Sequence, residues 1–171
     1  MKVSIVVDIL LLQTVSIAIA SAGVFGAAIY YILQLRHQSK MRQTDLILKL
    51  YSEWKTKEIA EAYLKVTNLE FKDYDDFIKK NGPWYSERDV YTAFRVVCLL
   101  FEEIGVLLHR KLLDIDTVAD LFTVSTKRTW EKVEPLVKGS RKHLGPHQFE
   151  YFEYLYNEMK KREQKLQQSK A

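Results

Sequence analysis

The sequence predicts an all-α protein: one N-terminal transmembrane helix followed by a cytoplasmic multi-helix bundle of about five to six helices. Three observations carry that prediction. Only six glycines and three prolines occur in 171 residues, few for the many turns of a β protein. No segment sustains the apolar–polar alternation of a strand. No charged residue interrupts the run from Ile9 to Leu35. The expected organisation is an anchor over 1–35, a basic juxtamembrane helix over 36–57 and a helical cytoplasmic domain over 58–171.

The anchor comes first. A helix needs roughly 20 apolar residues to cross the hydrocarbon core, and Ile9 to Leu35 exceeds that. A cleaved signal peptide is the competing reading, because Ala20-Ser21-Ala22 resembles a cleavage site. The apolar run continues well past Ala22, and Asp8 cancels the one leading cation, Lys2, so the uncleaved anchor is preferred. Ala18, Ala22 and Gly26 recur every four residues, a spacing that lets two helix backbones approach and is also common in spans generally.

Charge sets the expected orientation. Arg36, Lys40 and Arg42 follow the span and should lie at the membrane surface; basic flanks stay on the cytoplasmic side, so the N-terminus is expected outside. The net charge of +4 at first suggests nucleic acid. Its distribution argues otherwise. Residues 36–57 carry six basic and two acidic groups, and 58–159 carry fourteen basic against eighteen acidic. The excess sits beside the membrane and in the tail from Lys160, so no nucleic-acid partner is expected.

The helices of the body follow in order. The span is expected to continue through Leu46, Leu50 and Trp54. Thr56 caps a helix whose apolar face is Ile59, Tyr63 and Val66. A short helix over 73–80 closes at Asn81-Gly82-Pro83. Ser86 with Asp89 resembles a capping box for the next helix. Asp116 is expected to cap the following one, which Pro135 should kink or restart. Gly145-Pro146 breaks the chain again, and Phe149, Phe152, Tyr156 and Met159 form the inward stripe of the last helix. Tyr151 and Tyr154 lie off that stripe, to pack on a neighbour or to stay exposed.

One helix carries the candidate site. Val90, Phe94, Val97, Phe101, Ile104 and Leu108 form its core stripe, and Val96, Leu99 and Leu107 make it apolar on the opposite side too. Arg88, Arg95, Glu102 and His109 recur every seven residues with Tyr91, Cys98 and Gly105 between them, a slowly drifting polar line. Glu102 is therefore expected on the solvent side. Glu103 projects among apolar residues and, if covered, would need a cation such as Arg141 or Lys111. Structural pairing is the preferred role and a ligand or catalytic role the alternative. The candidate polar cluster is Arg88, Arg95, Glu102, Glu103, His109 and Arg141.

Catalytic signatures are missing. His143 and His147 flank Gly145-Pro146 and share no helix face, so no metal is expected. The lone Cys98 excludes an intramolecular disulfide and a cysteine zinc cluster. No phosphate loop, nucleophile elbow or zinc-binding helix motif occurs, so no cofactor is expected and the sequence leans against an enzyme without excluding one.

The segment FEEIGVLLHRKLLDID at 101–116, Trp130, Glu134-Pro135, Arg141 and FEYLYNEM at 152–159 resemble an uncharacterised family of small prokaryotic single-pass membrane proteins with a helical cytoplasmic domain of unknown function. The resemblance implies an anchor and a helical body, and no activity. The expected function is a membrane-anchored domain for protein interaction, an adaptor or an assembly subunit, with self-association or a protein partner. The alternative is a ligand sensor or enzyme using the cluster around Glu102 and Glu103.

Overall fold

The computed structural model describes residues 2–84 and 88–169. Among these, every regular element is helical and none is a strand. The elements are α1 (Lys2–Trp54), α2 (Lys57–Thr67), α3 (Tyr74–Asn81), α4 (Asp89–His109), α5 (Ile115–Leu144) and α6 (Glu150–Gln168). The chain divides into two compact units, Met1–Arg42 and Gln43–Ala171.

The first unit is the N-terminal part of α1. This helix is long and apolar enough to cross a membrane, and the residues of its most apolar window are unburied. Val24, Phe25, Ile29 and Tyr30 are all largely exposed.

The second unit builds a core around α4, which packs on α6, α2 and α5. Phe101 stacks on Phe152 at 4.9 Å between ring centroids. Trp130 meets Phe152 edge-on at 4.9 Å, and Trp54, at the end of α1, leans on Phe101 at 5.4 Å. Phe94, Phe101, Phe122 and Phe152 are wholly buried and Trp130 nearly so. Full burial of such a side chain contributes roughly 1.5–3 kcal/mol, so these rings dominate the cohesion of the unit. Ile47 and Leu50 of α1 are buried in the same core.

Short polar signals set the helix ends. Thr56 caps α2, accepting from the Ile59 amide. Asp73 caps α3, accepting from the Asp76 amide at 2.9 Å. That helix stops at Gly82, whose φ of 83° suits glycine. Tyr91 Oη donates to the Gly82 carbonyl and fixes this stop against α4.

Four local expectations are corrected. Asp114, not Asp116, caps α5: it accepts from the Thr117 amide at 2.8 Å and the Thr117 hydroxyl at 2.6 Å. Both aspartates precede the apolar run, and only Asp114 stands three residues before a Thr that can return a second bond. α5 also does not restart at Pro135 but continues as one helix past it. Pro135 and Glu131 are both exposed, so the carbonyl that loses its amide partner lies on the watered side of the helix. α4 begins at Asp89 with Arg88 as its cap residue and no side-chain cap; Asp89 is thus not at the third helical position a capping box requires, and Ser86 lies outside the described residues. Leu99, expected to help enclose α4, is 51% exposed.

Candidate functional site

The chain leaving α5 makes a sharp turn before α6. Gly145, at φ 115°, ends α5. Phe149 then adopts a left-handed conformation, φ 53° and ψ 38°, as the cap residue of α6, and offers no side-chain cap. A helix start leaves several backbone N–H groups without internal partners. Here the missing acceptor comes from another helix: Glu102 of α4 accepts from the Phe152 amide at 2.7 Å. A carboxylate at this end also meets the positive pole of the helix dipole.

The approach that makes this bond depends on Gly105. A Cβ there would stand 2.5 Å from the Tyr151 carbonyl carbon and closer still to its oxygen. One turn further along α4, the His109 ring meets Tyr151 at 5.3 Å and Tyr154 at 5.2 Å, both edge-on. Glu102, Gly105 and His109 therefore face α6. The seven-residue polar line is in this part a seam between two helices, and Tyr151 and Tyr154 pack on it.

Arg141 closes the turn from the α5 side. Its Nε donates to the Gln148 carbonyl at 2.9 Å and a terminal nitrogen to the Phe149 carbonyl at 3.4 Å. The other terminal nitrogen pairs with Glu153 Oε2 at 2.6 Å. Ser140 Oγ donates to Gln148 Oε1 at 2.5 Å. The planar fork of arginine suits this mixture of carbonyl and carboxylate acceptors.

The two adjacent glutamates exchange the environments expected for them. Glu102 is half-buried and Glu103 is exposed. Burial raises the Glu102 carboxyl above its ordinary value, against the lowering effect of the Phe152 and Tyr151 amides; Glu150 raises it further and Arg141 lowers it. Desolvation thus outweighs the helix start. Exposed in water, Glu103 needs no buried cation, and neither Arg141 nor Lys111 pairs with it. A helical wheel gives relative angles but not which neighbour covers which sector, and α6 covers the sector of Glu102.

The remaining candidates do not join this cluster. Arg88 donates to the Lys80 carbonyl at 3.3 Å, at the end of α3. Arg95 is exposed on α4 among apolar neighbours. Cys98 is buried, and desolvation with the nearby Glu102 pushes its thiol well up, a poor state for reaction as thiolate. His143 stacks on Tyr74 at 5.6 Å and His147 pairs with Glu150 at 2.7 Å.

The basic residues divide into two kinds. Arg36, Lys40 and Arg42 are exposed on α1, as are Ala18, Ala22 and Gly26. A Cβ at Gly26 would meet nothing within 4 Å. Among the described tail cations, Arg162 and Lys161 pair within the second unit. Arg162 binds Asp116 at 2.6 Å and Asp120 at 3.4 Å, and Lys161 binds Glu158 at 2.6 Å. The aspartates that hold Arg162 sit one turn apart on α5, a pairing visible only once α5 and α6 are docked.

Residues 17–159 match the family model described as a domain of unknown function, DUF4760. No curated protein matches the chain, and no solved structure does.

Proposed function

We propose, for a chain that belongs to the DUF4760 family of domains of unknown function, a membrane-anchored helical assembly subunit that works by binding protein, its own copies included. The observation that carries this reading is the unburied apolar surface of α1. Side chains such as Val24, Phe25 and Ile29 find no partner surface within the first unit and suit a bilayer. The orientation proposed is N-terminus outside and the second unit cytoplasmic, supported by Arg36, Lys40 and Arg42 on one flank.

The location test uses the full chain in bacterial membranes, with a tag at each end. The chain is expected to stay in the membrane after alkaline carbonate extraction. External protease is expected to remove the N-terminal tag and spare the C-terminal one. Replacing Arg36, Lys40 and Arg42 together by Gln should raise the inverted fraction. Release by carbonate would sink the anchor, and a protected N-terminal tag would sink the orientation.

Self-association is supported by the Ala18, Ala22 and Gly26 ridge, which offers no side chain beyond a methyl to a facing helix. Cross-linking of the full chain in bilayers should trap oligomers that Gly26→Leu reduces several-fold. If Gly26→Leu leaves the trapped fraction unchanged, the ridge is only the ordinary composition of a span.

The rival reading, a ligand sensor or enzyme on Glu102 and Glu103, rests on the raised pKa of Glu102, since perturbed carboxyls gather at functional sites. The seam with α6 accounts for that shift, first through burial and then through the nearby Glu150. Glu102→Gln keeps an acceptor for the Phe152 amide and should change stability by less than about 1 kcal/mol at neutral pH. Glu102→Ala leaves that amide unsatisfied and should cost about 1–3 kcal/mol. The sign with pH also follows. A raised folded pKa favours the folded state in full below the ordinary glutamate value of about 4.3, and that advantage fades as pH rises through the folded value. Glu102→Gln should flatten this part of the stability curve, as urea unfolding between acid and neutral pH would show.

A further inference from the structure

Arg95 sits in a setting that neither the α4–α6 seam nor membrane anchoring uses. It lines a surface cleft of about 320 Å³ with Trp84, Phe94 and Phe149. These three rings form a continuous wall: Trp84 meets Phe94 at 4.9 Å and 61°, and Phe94 meets Phe149 at 5.8 Å and 76°. Phe94 is wholly buried and Phe149 nearly so, so the wall is held by the core rather than by loose surface contacts.

Leu99 from α4 and Leu144 from the end of α5 complete the apolar lining, at 51% and 52% exposed. Two large aliphatic side chains are left in water beside an aromatic wall. Among the described lining residues Arg95 is the one charged residue, with no carboxylate beside it. Among the described residues its guanidinium has no ion pair, although ten others link charged side chains elsewhere in the chain. Gln148, the remaining polar lining residue, is held by Ser140.

We propose that this cleft binds a small apolar carboxylate, its ring or branched body against Trp84, Leu99 and Leu144 at the open edge of the aromatic wall and its carboxylate on Arg95. The chemistry is complementary at both ends. Aromatic side chains take rings edge-on or offset, as they already do with one another here. A guanidinium is weakly hydrated and presents a fork that matches a carboxylate. The volume lies at the low end of the roughly 300–1,000 Å³ usual for ligand pockets, which limits the occupant to a compact molecule. This site stands apart from the assembly reading, and each can fail without the other.

The test titrates 2-naphthoate into the full chain in phosphatidylcholine nanodiscs by calorimetry, with empty nanodiscs as the baseline. The uncharged 2-naphthamide serves as the second probe. Saturable binding of naphthoate is expected, with the amide weaker by about tenfold or more, the scale of one charge-assisted fork. Arg95→Gln should weaken naphthoate by a similar factor and leave thermal unfolding unchanged, because this exposed side chain makes no ion pair with another described residue. Leu99→Asp, which puts a like charge at the rim, should weaken it too. Three results would each overturn the proposal: no saturable naphthoate binding, equal binding of the amide, or unchanged affinity in Arg95→Gln.

Discussion

Gly105→Ala is expected to cost the second unit roughly 2–3 kcal/mol or to prevent its folding. The added methyl meets the backbone carbonyl of Tyr151, carbon at 2.5 Å, not the end of a flexible side chain. No rotamer change relieves that contact, so α4 and α6 must move apart. Overpacking usually costs about 1–3 kcal/mol, and a clash with backbone belongs at the top of that range. The better helix propensity of Ala returns up to about 1 kcal/mol, so the net loss remains large. Separation would also break the bond from the Phe152 amide to Glu102 and lift Tyr151 and Tyr154 off His109. Gly23→Ala is the matched control: a Cβ there meets nothing within 4 Å, and the helix should if anything gain. Urea midpoints of the two full-length variants decide the matter. Equal midpoints would mean that α6 is not seated on α4 as described.

The main frame was legible because it rests on periodicity. The apolar stripe of α4 and the inward stripe of α6 follow from helical spacing, and Thr56 and Gly82 terminate helices for local reasons that a sequence displays. The site was less legible because it depends on docking. Arg95, Glu102 and His109 share one line on α4, and the sequence shows that line without showing what covers it. α6 covers Glu102 and touches His109, which stays exposed, and leaves Arg95 open beside Leu99. One covering helix therefore turned an expected solvent glutamate into an interhelical cap and an expected buried one, Glu103, into a solvent group. Gly105 carried the available hint. A glycine inside a strongly apolar helix costs about 1 kcal/mol relative to Ala, and close approach of another backbone is the usual compensation. Phe149 gave no comparable hint, because a left-handed phenylalanine has no sequence signature.

Arg141→Ala is expected to be the second severe change, at about 2–4 kcal/mol. The side chain is 19% exposed and its partner carboxylate on Glu153 is 29% exposed, so the pair is shielded but not fully desolvated. Breaking a fully buried pair costs about 3–5 kcal/mol, and the partial exposure lowers that figure. Three acceptors lose their donor at once: the carbonyls of Gln148 and Phe149 and the carboxylate of Glu153. The first two belong to the turn that holds Phe149 in its left-handed conformation, so the loss acts on backbone as well as on charge. Arg141→Lys should recover only part, because an ammonium cannot serve three acceptors spread over a planar fork. Removing Glu153 as well separates the two contributions. If the ion pair dominates, Glu153→Gln in the Arg141→Ala background adds little further loss. A dominant ion pair makes Glu153→Gln costly in the otherwise unchanged chain, whereas dominant carbonyl bonds leave it nearly neutral there as well. A third readout follows from Glu102, whose carboxyl Arg141 holds down. In Arg141→Ala that carboxyl should titrate at still higher pH, so the acid-side gain in stability extends further toward neutral pH. A shift of the Glu102 titration the other way, followed by carboxyl NMR, would show that Arg141 does not act on the start of α6 through charge.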